Sequence, residues 1–345
     1  MPITQLANVI VPEVFEEYVA LDTCVSTALK DSGVLVTNPF LQSQLGMGGD
    51  ILNVPAWNDL VSPATINTDP NVSSDNPAVS ATANGISAVN FVARKSYLNN
   101  AWGAASLAAE IAGSDPARRV AERIAAYWNH VYEARLIQSL YGILLSNVAN
   151  NGGDMLIDIS AATTAAPITI NGTQYTLPTV QRDAVIDAAF TMGDRASEVK
   201  AIAVHSSVYR QMAKNNEIEF IRDSENNVLF ATYAGMAILQ DDNLVLPNSS
   251  YLTVLFARGA VAFAEGPSAR NIPFEVYRWP LQGNGGGTET LHSRRDSIII
   301  PSGFSFTSSS VAAQSPILSE LATASNWTRV APERRQCPIA FLVTK

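Results

Sequence analysis

The chain has 345 residues and a formal net charge of −9, with 15% charged and 47% hydrophobic residues. That balance excludes a protein that neutralises nucleic-acid phosphates over its whole surface, and no apolar run approaches the ~18 residues of a membrane-spanning helix. The length allows a sizeable core in more than one lobe.

Five basic residues are Lys and 17 are Arg. Arg is enriched at interfaces because its planar guanidinium pairs carboxylates bidentately and desolvates more cheaply. A weakly charged chain with this bias is expected to hide surface against partners. Cys24 and Cys337 stand apart without ligand spacing, so neither a zinc site nor a disulfide framework is expected. No basic segment followed by an apolar one opens the sequence, which argues against secretion.

In chain order, residues 1–44 read as an arm. Pro12 can open a short helix in which Val14, Phe15, Tyr18, Val19 and Leu21 recur at helical spacing. Two strand-like runs follow, DILNVPAWN (50–58) and ISAVNFVARKS (86–96). The stretch between them is rich in Ser, Asn, Pro and Thr, and a structureless loop of that length is out of place inside a compact domain. The pattern predicts a projecting two-stranded β-arm. Two strands alone are marginal in water, so the arm should lie on another surface.

The segment GSDPARRVAERIAAYWNHVYEARLIQSL predicts a long helix. Asp115 can N-cap it and Pro116 fits the first helical position. No Gly or Pro follows until Gly142, giving about 26 residues or roughly 39 Å. Val120, Ile124, Tyr127, Trp128, Val131 and Ala134 share one arc, while Arg118, Glu122, Asn129 and Glu133 lie opposite. After Arg135 the pattern changes sides, with Leu136 and Leu140 on the formerly polar arc, so another element should cover the far end. Arg118 and Arg119 sit near the first turn, where the helix dipole disfavours cations by about 0.3–1 kcal/mol. Glu122 can compensate at i,i+3 and i,i+4; a carboxylate from another subunit is the alternative.

Beyond a loop at 148–154, Thr179 is expected to cap a helix over 181–192 that Gly193 ends. KAIAV (200–204) reads as a buried strand, Ser206 opens a helix through Lys214, and strands follow at 218–221, 227–230 and 236–239. Residues 251–266 read as a β-hairpin turning at Arg258-Gly259. FEVYRWPL and LHSRRDSIII form a second hairpin candidate, with Arg294 and Arg295 on opposite faces. A short helix near Ser315-Pro316 and a strand at 338–343 complete the pattern.

Chemistry-bearing combinations are few. His130 and Glu133 lie three apart on the long helix, but no third ligand is near, so a solvated helix edge is the better reading than a metal site. His205 and Ser206 are sequence neighbours without a GxSxG elbow and fit a helix start. Asp241-Asp242, followed by Asn243, fits a turn better than an acid/base pair. The glycines at 283–287 lack the Lys-Ser/Thr and helix of a phosphate cradle. Catalytic, cofactor and metal sites are therefore not expected.

An arm, a long helix that changes its packing side, an α/β lobe and a long hairpin come in an order that resembles the major capsid proteins of tailed bacteriophages. The phrases VPAWNDL, AWGAASLAAEIAGSDP, LHSRRDSIIIPSGFSF and SNWTRV resemble that family too. The resemblance implies an α+β, Hong Kong 97-type fold with an N-terminal arm (1–44), an extended E-loop (45–98) and the spine-helix part of the P-domain (99–154). It continues with an A-domain (155–265), P-domain strands returning to the A-domain (266–310) and a C-terminal tail (311–345).

It further implies a structural protein, not an enzyme, that assembles into pentamers and hexamers of an icosahedral shell around double-stranded DNA without sequence-specific binding. The expected place is the virion, after assembly in the host cytoplasm, with no membrane association. A separate scaffolding protein is expected because the arm begins directly after Met1, and a portal with it; the shell is held by interlocking subunits or by a separate cement protein. Only Lys95 lies near the β-arm, so Lys–Asn crosslinks like those of the prototype are not supported. The Arg bias and helix-end charges mark Arg118, Arg119, Arg294 and Arg295 as candidate inter-subunit contacts. Three alternatives stay open: an encapsulin-type compartment of the same fold, a hydrolase using Asp241-Asp242, and a tail-tube subunit.

Overall fold

The computed structural model describes residues 3–4, 27–32, 34–58, 70–112, 116–222, 228–267 and 271–345. The expected helix after Pro12 and the Asp115 cap lie outside them. Seven α-helices are described: α1 (Ala28–Asp31), α2 (Pro39–Leu45), α3 (Ser106–Ala112), α4 (Pro116–Asn150), α5 (Arg182–Phe190), α6 (Ser206–Lys214) and α7 (Leu318–Leu321).

Two sheets flank α4. The first runs Ile3–Thr4, Ser96–Ala105, Thr288–Pro301, Val261–Pro267, Leu35–Thr37, and Phe274–Trp279 pairs with Thr288–Pro301 beyond the reach of Val261–Pro267. The second has seven strands in the order Ile218–Arg222, Val228–Tyr233, Met236–Gln240, Val199–Val204, Tyr251–Ala257, Ile339–Thr344, Leu156–Asp158. Ile339–Thr344 is buried along its whole length, as its near-continuous apolar run requires of a central strand. One apolar core joins Leu136, Leu140 and Ile143 of α4 to Val254, Phe263 and Phe341 of both sheets. A second lies between α5, α6 and the other face of the seven-stranded sheet.

Residues 251–266 are not a hairpin. Tyr251–Ala257 belongs to the seven-stranded sheet and Val261–Pro267 to the first one, so the chain changes sheet across Arg258-Gly259. Tyr251–Ala257 already pairs with Val199–Val204 on one side and Ile339–Thr344 on the other. No edge remains for its sequence neighbour. The local turn signal is the same for a hairpin and a crossover, and pairing with distant strands decides between them.

Helix α4 also continues past Gly142, over 35 residues to Asn150. A Cβ at Gly142 would sit 2.1 Å from the Leu321 carbonyl oxygen and 2.5 Å from Trp327 Nε1. The glycine therefore marks a close approach, not a stop. Trp327 Nε1 donates to the Leu321 carbonyl at 2.7 Å, and Ser146 Oγ donates to the Trp327 carbonyl at 2.8 Å. The C-terminal segment is thus the cover that the change of packing side called for.

Several features escaped the sequence reading. Ser96–Ala105 is a ten-residue central strand, hidden by its Asn, Ala and Gly content. Helix α2 carries its own start signal, since Asn38 Oδ1 accepts the Phe40 N–H at 2.9 Å and Pro39 occupies the first position. In α6 the cap is His205, not Ser206: His205 Nδ1 accepts the Ser207 N–H at 3.0 Å. Similarly, Gln181, not Thr179, precedes the first turn of α5.

Candidate inter-subunit surfaces

The β-arm pairs Ile51–Trp57 antiparallel with Ala88–Arg94, from Ile51↔Arg94 to Trp57↔Ala88. Pro55 fits there because the pair has an outer side with no ladder to interrupt. The root is gripped by the C-terminal third of the chain. The Val92 N–H donates to Ser305 Oγ at 2.9 Å, and the Arg94 guanidinium donates to the carbonyls of Ala313 (2.9 Å) and Gln314 (2.7 Å). Leu52 and Ala93 pack with Leu41, Leu45, Ala264 and Ile298 in a small apolar cluster.

Outward from this root the chain exposes apolar groups. Trp57 is 72% exposed and Val72 81%. Their segment is nonetheless shaped: Asn71 Nδ2 donates to the Thr82 carbonyl at 2.8 Å while Asn71 Oδ1 accepts the Thr82 N–H at 3.3 Å. Between arm and body opens a cleft of about 340 Å³, lined by Phe40, Val54, Trp57, Phe91, Ala262 and Ile300 among others. Exposed apolar groups on a shaped projection mark a surface that another molecule covers.

The hairpin of Phe274–Trp279 with Thr288–Pro301 is the second such surface. Tyr277 packs edge-on against Trp279 with centroids 4.6 Å apart, both partly exposed, and Leu281 beside the turn is 90% exposed. The glycine-rich tip is closed as a turn, with the Gly286 N–H reaching the Gly283 carbonyl and the Gly287 N–H the Gln282 carbonyl.

The four candidate arginines have partners within the chain. Arg118 and Arg119 both bridge Glu122, at 3.4 and 2.9 Å, and Arg118 remains 80% exposed. The Arg119 hydrogen bond, followed by the two arginine charges, holds the Glu122 carboxyl below its ordinary range. Arg294 donates to Glu275 at 3.0 Å and to the Ile272 carbonyl at 2.7 Å. Arg295 lies on the other face, its guanidinium 5.4 Å from the Phe274 ring centroid. The helix pair and the hairpin pair form two separate groups, as the spacing of the sequence suggested, with the last two on opposite faces of one strand.

The remaining polar candidates are structural. Glu133 is not on a solvated edge: it is 1% exposed and accepts the Leu29 N–H at 3.2 Å. The distant segment that buries it is invisible to a helical projection. Asp241 Oδ1 accepts from the Asn243 backbone and side chain, both at 2.8 Å, closing a turn. Asp242 Oδ1 accepts the Ser206 N–H at 3.1 Å. Hydrogen bonding from Ser206, the largest influence, holds the Asp242 carboxyl below its ordinary range. Among the described residues, no three His, Cys, Asp or Glu side chains form a metal-binding group, and no helix is long and apolar enough to cross a membrane.

The architecture has solved counterparts. It is similar to the capsid subunit of cyanophage Pam1, with a TM-score of 0.59 at 12% identity over 96% of this chain and 95% of that one. It is likewise similar to a chain of Microbacterium phage Oxtober96, with a TM-score of 0.54 at 10% identity over 98% of both. The fold is thus that of a tailed-phage capsid subunit, of the Hong Kong 97 type. No family model matches the chain. At the level of sequence, however, it is 31% identical over 339 residues to the major capsid protein of Bacillus phage SPP1, covering 96% of this chain and 95% of that one. The chain belongs to the family of phage major capsid proteins, and its role is structural.

Proposed function

We propose that this chain builds the head shell of a tailed phage, assembling through pentamers and hexamers into an icosahedral container for double-stranded DNA. The observation that carries the reading is the near full-length match to a major capsid protein. The exposed apolar arm and hairpin support it, because each needs a covering surface that a second copy can supply. A formal charge of −9 suits a wall that encloses DNA without gripping it.

In this reading the residues 45–98 form the E-loop and α4 the spine of the P-domain. The seven-stranded sheet forms the axis-facing A-domain, and residues 311–345 return from the P-domain to supply one of its central strands. Arg118, 80% exposed at the start of α4, is the arginine best placed to meet a neighbouring carboxylate. The shell resides in the virion after assembly in the host cytoplasm, guided by a scaffolding protein and completed by a portal and a cement protein. The chain performs no catalysis.

Electron microscopy of the chain produced with its neighbouring genes tests the proposal. Closed shells holding nuclease-protected double-stranded DNA are expected. Shells filled with protein cargo, or persistent small oligomers, would overturn it.

A further inference from the structure

Helix α1 is four residues long, far too short to hold itself together, yet it is anchored on several sides. Leu29 is completely buried in the core shared by α4 and both sheets. Its N–H is bound to the Glu133 carboxylate of α4 at 3.2 Å, outside any helical ladder. On the other side, Lys30 Nζ donates to Asn129 Oδ1 of α4 at 2.6 Å and to Glu265 Oε1 of Val261–Pro267 at 2.7 Å. The same ammonium lies 4.9 Å from the Tyr132 ring centroid. Helix α1 also packs against Met236–Gln240 of the seven-stranded sheet. One lysine therefore ties a segment wedged between the two sheets to the long helix and to the first sheet.

We propose that residues 27–32 and 34–37 form a latch with Lys30 as its pin. With the pin in place, the wedge staples the seam between the sheets. With the pin removed, the segment leaves the seam as a unit, taking the Leu29–Glu133 bond and the pairing of Leu35–Thr37 with Val261–Phe263 with it. The ion pair suits this job. It is largely shielded, with Lys30 and Glu265 side chains 16% and 33% exposed, and removing one partner leaves the other poorly solvated in the seam. The apolar part of the segment is small, Leu29 with Val34 and Leu35.

This inference deepens the capsid reading, because the latch sits at the root of the N-terminal arm, but it can be tested on the free subunit whether or not shells form. The Leu29 amide is the reporter, since its bond is to a side chain of α4. Amide hydrogen exchange is compared between wild type, Lys30→Met and Glu265→Gln, the last a milder change if the first folds poorly. Exchange at Leu29 and at residues 35–37 is expected to rise at least tenfold in Lys30→Met, and by less in Glu265→Gln. Amides of Leu140, Ile143 and Leu144 in α4 should keep their protection. Unchanged exchange at Leu29 in both variants would overturn the latch. So would a rise spread evenly over α4 and the arm root, which would mean general loosening.

Discussion

The far half of α4 and the β-arm are built on opposite plans. Leu136, Leu140, Ile143 and Leu144 are buried by other parts of the same chain, and even the polar Ser146 and Asn147 are enclosed and bonded. The arm packs on the body only at its root, and Trp57 and Val72 remain largely exposed. The contrast separates what the subunit needs to fold from what it needs to assemble. In the proposed reading, the apolar surface left uncovered on the arm is covered by another copy.

Substitutions can break this contrast at points of graded severity. The largest loss is expected at the close approach of α4 to the C-terminal segment. Gly142→Val places atoms against the Leu321 carbonyl and Trp327 Nε1, and overpacking against backbone should cost about 3 kcal/mol or more. Chemical denaturation of the free subunit would reveal it, and a variant as stable as wild type would refute the packing described.

Next comes Arg334, whose guanidinium donates to the carbonyls of Cys337 (2.7 Å) and Ile339 (2.9 Å) and to Thr191 Oγ1 (2.7 Å). Burial pulls its pKa down to about 10, still well above neutral pH, so the charge persists there. Arg334→Ala strands those acceptors and should cost roughly 2–3 kcal/mol, read in the same denaturation curves.

A smaller, pH-dependent effect is expected at Glu320. Its carboxylate accepts the N–H groups of Ala312 and Ile317, both at 2.9 Å, and these bonds hold its pKa below the ordinary glutamate value. A carboxyl depressed in the folded state contributes stability above its unfolded pKa and loses it as pH falls through the folded one. Amide exchange at Ala312 and Ile317, corrected for intrinsic rate, should therefore quicken in acid below the ordinary glutamate range. Glu320→Gln should exchange faster at neutral pH and show a weaker acid response.

The smallest effect on folding is expected in the arm. Replacing Trp57 and Val72 by Ser should leave the stability of the free subunit within about 0.5 kcal/mol while sharply lowering the yield of shells by sedimentation. An arm that served the subunit's own fold would give the reverse result.

How far these two plans can be read from sequence depends on how local their causes are. The β-arm was legible because two strand-like runs, Asp50–Asn58 and Ile86–Ser96, flank a polar stretch too long for a loop inside a compact domain. The change of side along α4 was legible because Leu136 and Leu140 break the earlier arc. Gly142 misled, since a glycine that admits Trp327 and a glycine that ends a helix look alike in one dimension. Glu133 misled for a related reason: the segment that buries it begins more than 100 residues earlier. The crossover at Arg258-Gly259 needed the identity of strands 339–344, at the other end of the chain. Of the candidate arginines, sequence correctly paired Arg118 and Arg119 with Glu122, but Glu275 as the partner of Arg294 depends on strand register. The exposed aromatics Tyr277 and Trp279 carried a signal that went unused, since FEVYRWPL is apolar on both faces of its strand.

The most direct test is a side-chain-resolution electron microscopy structure of the assembled shell, read at the arm. Trp57 and Val72 should each be buried against another copy of the chain while the far half of α4 keeps its internal partners. Shells in which both residues remain as exposed as in the single subunit would contradict the division between folding and assembly surfaces.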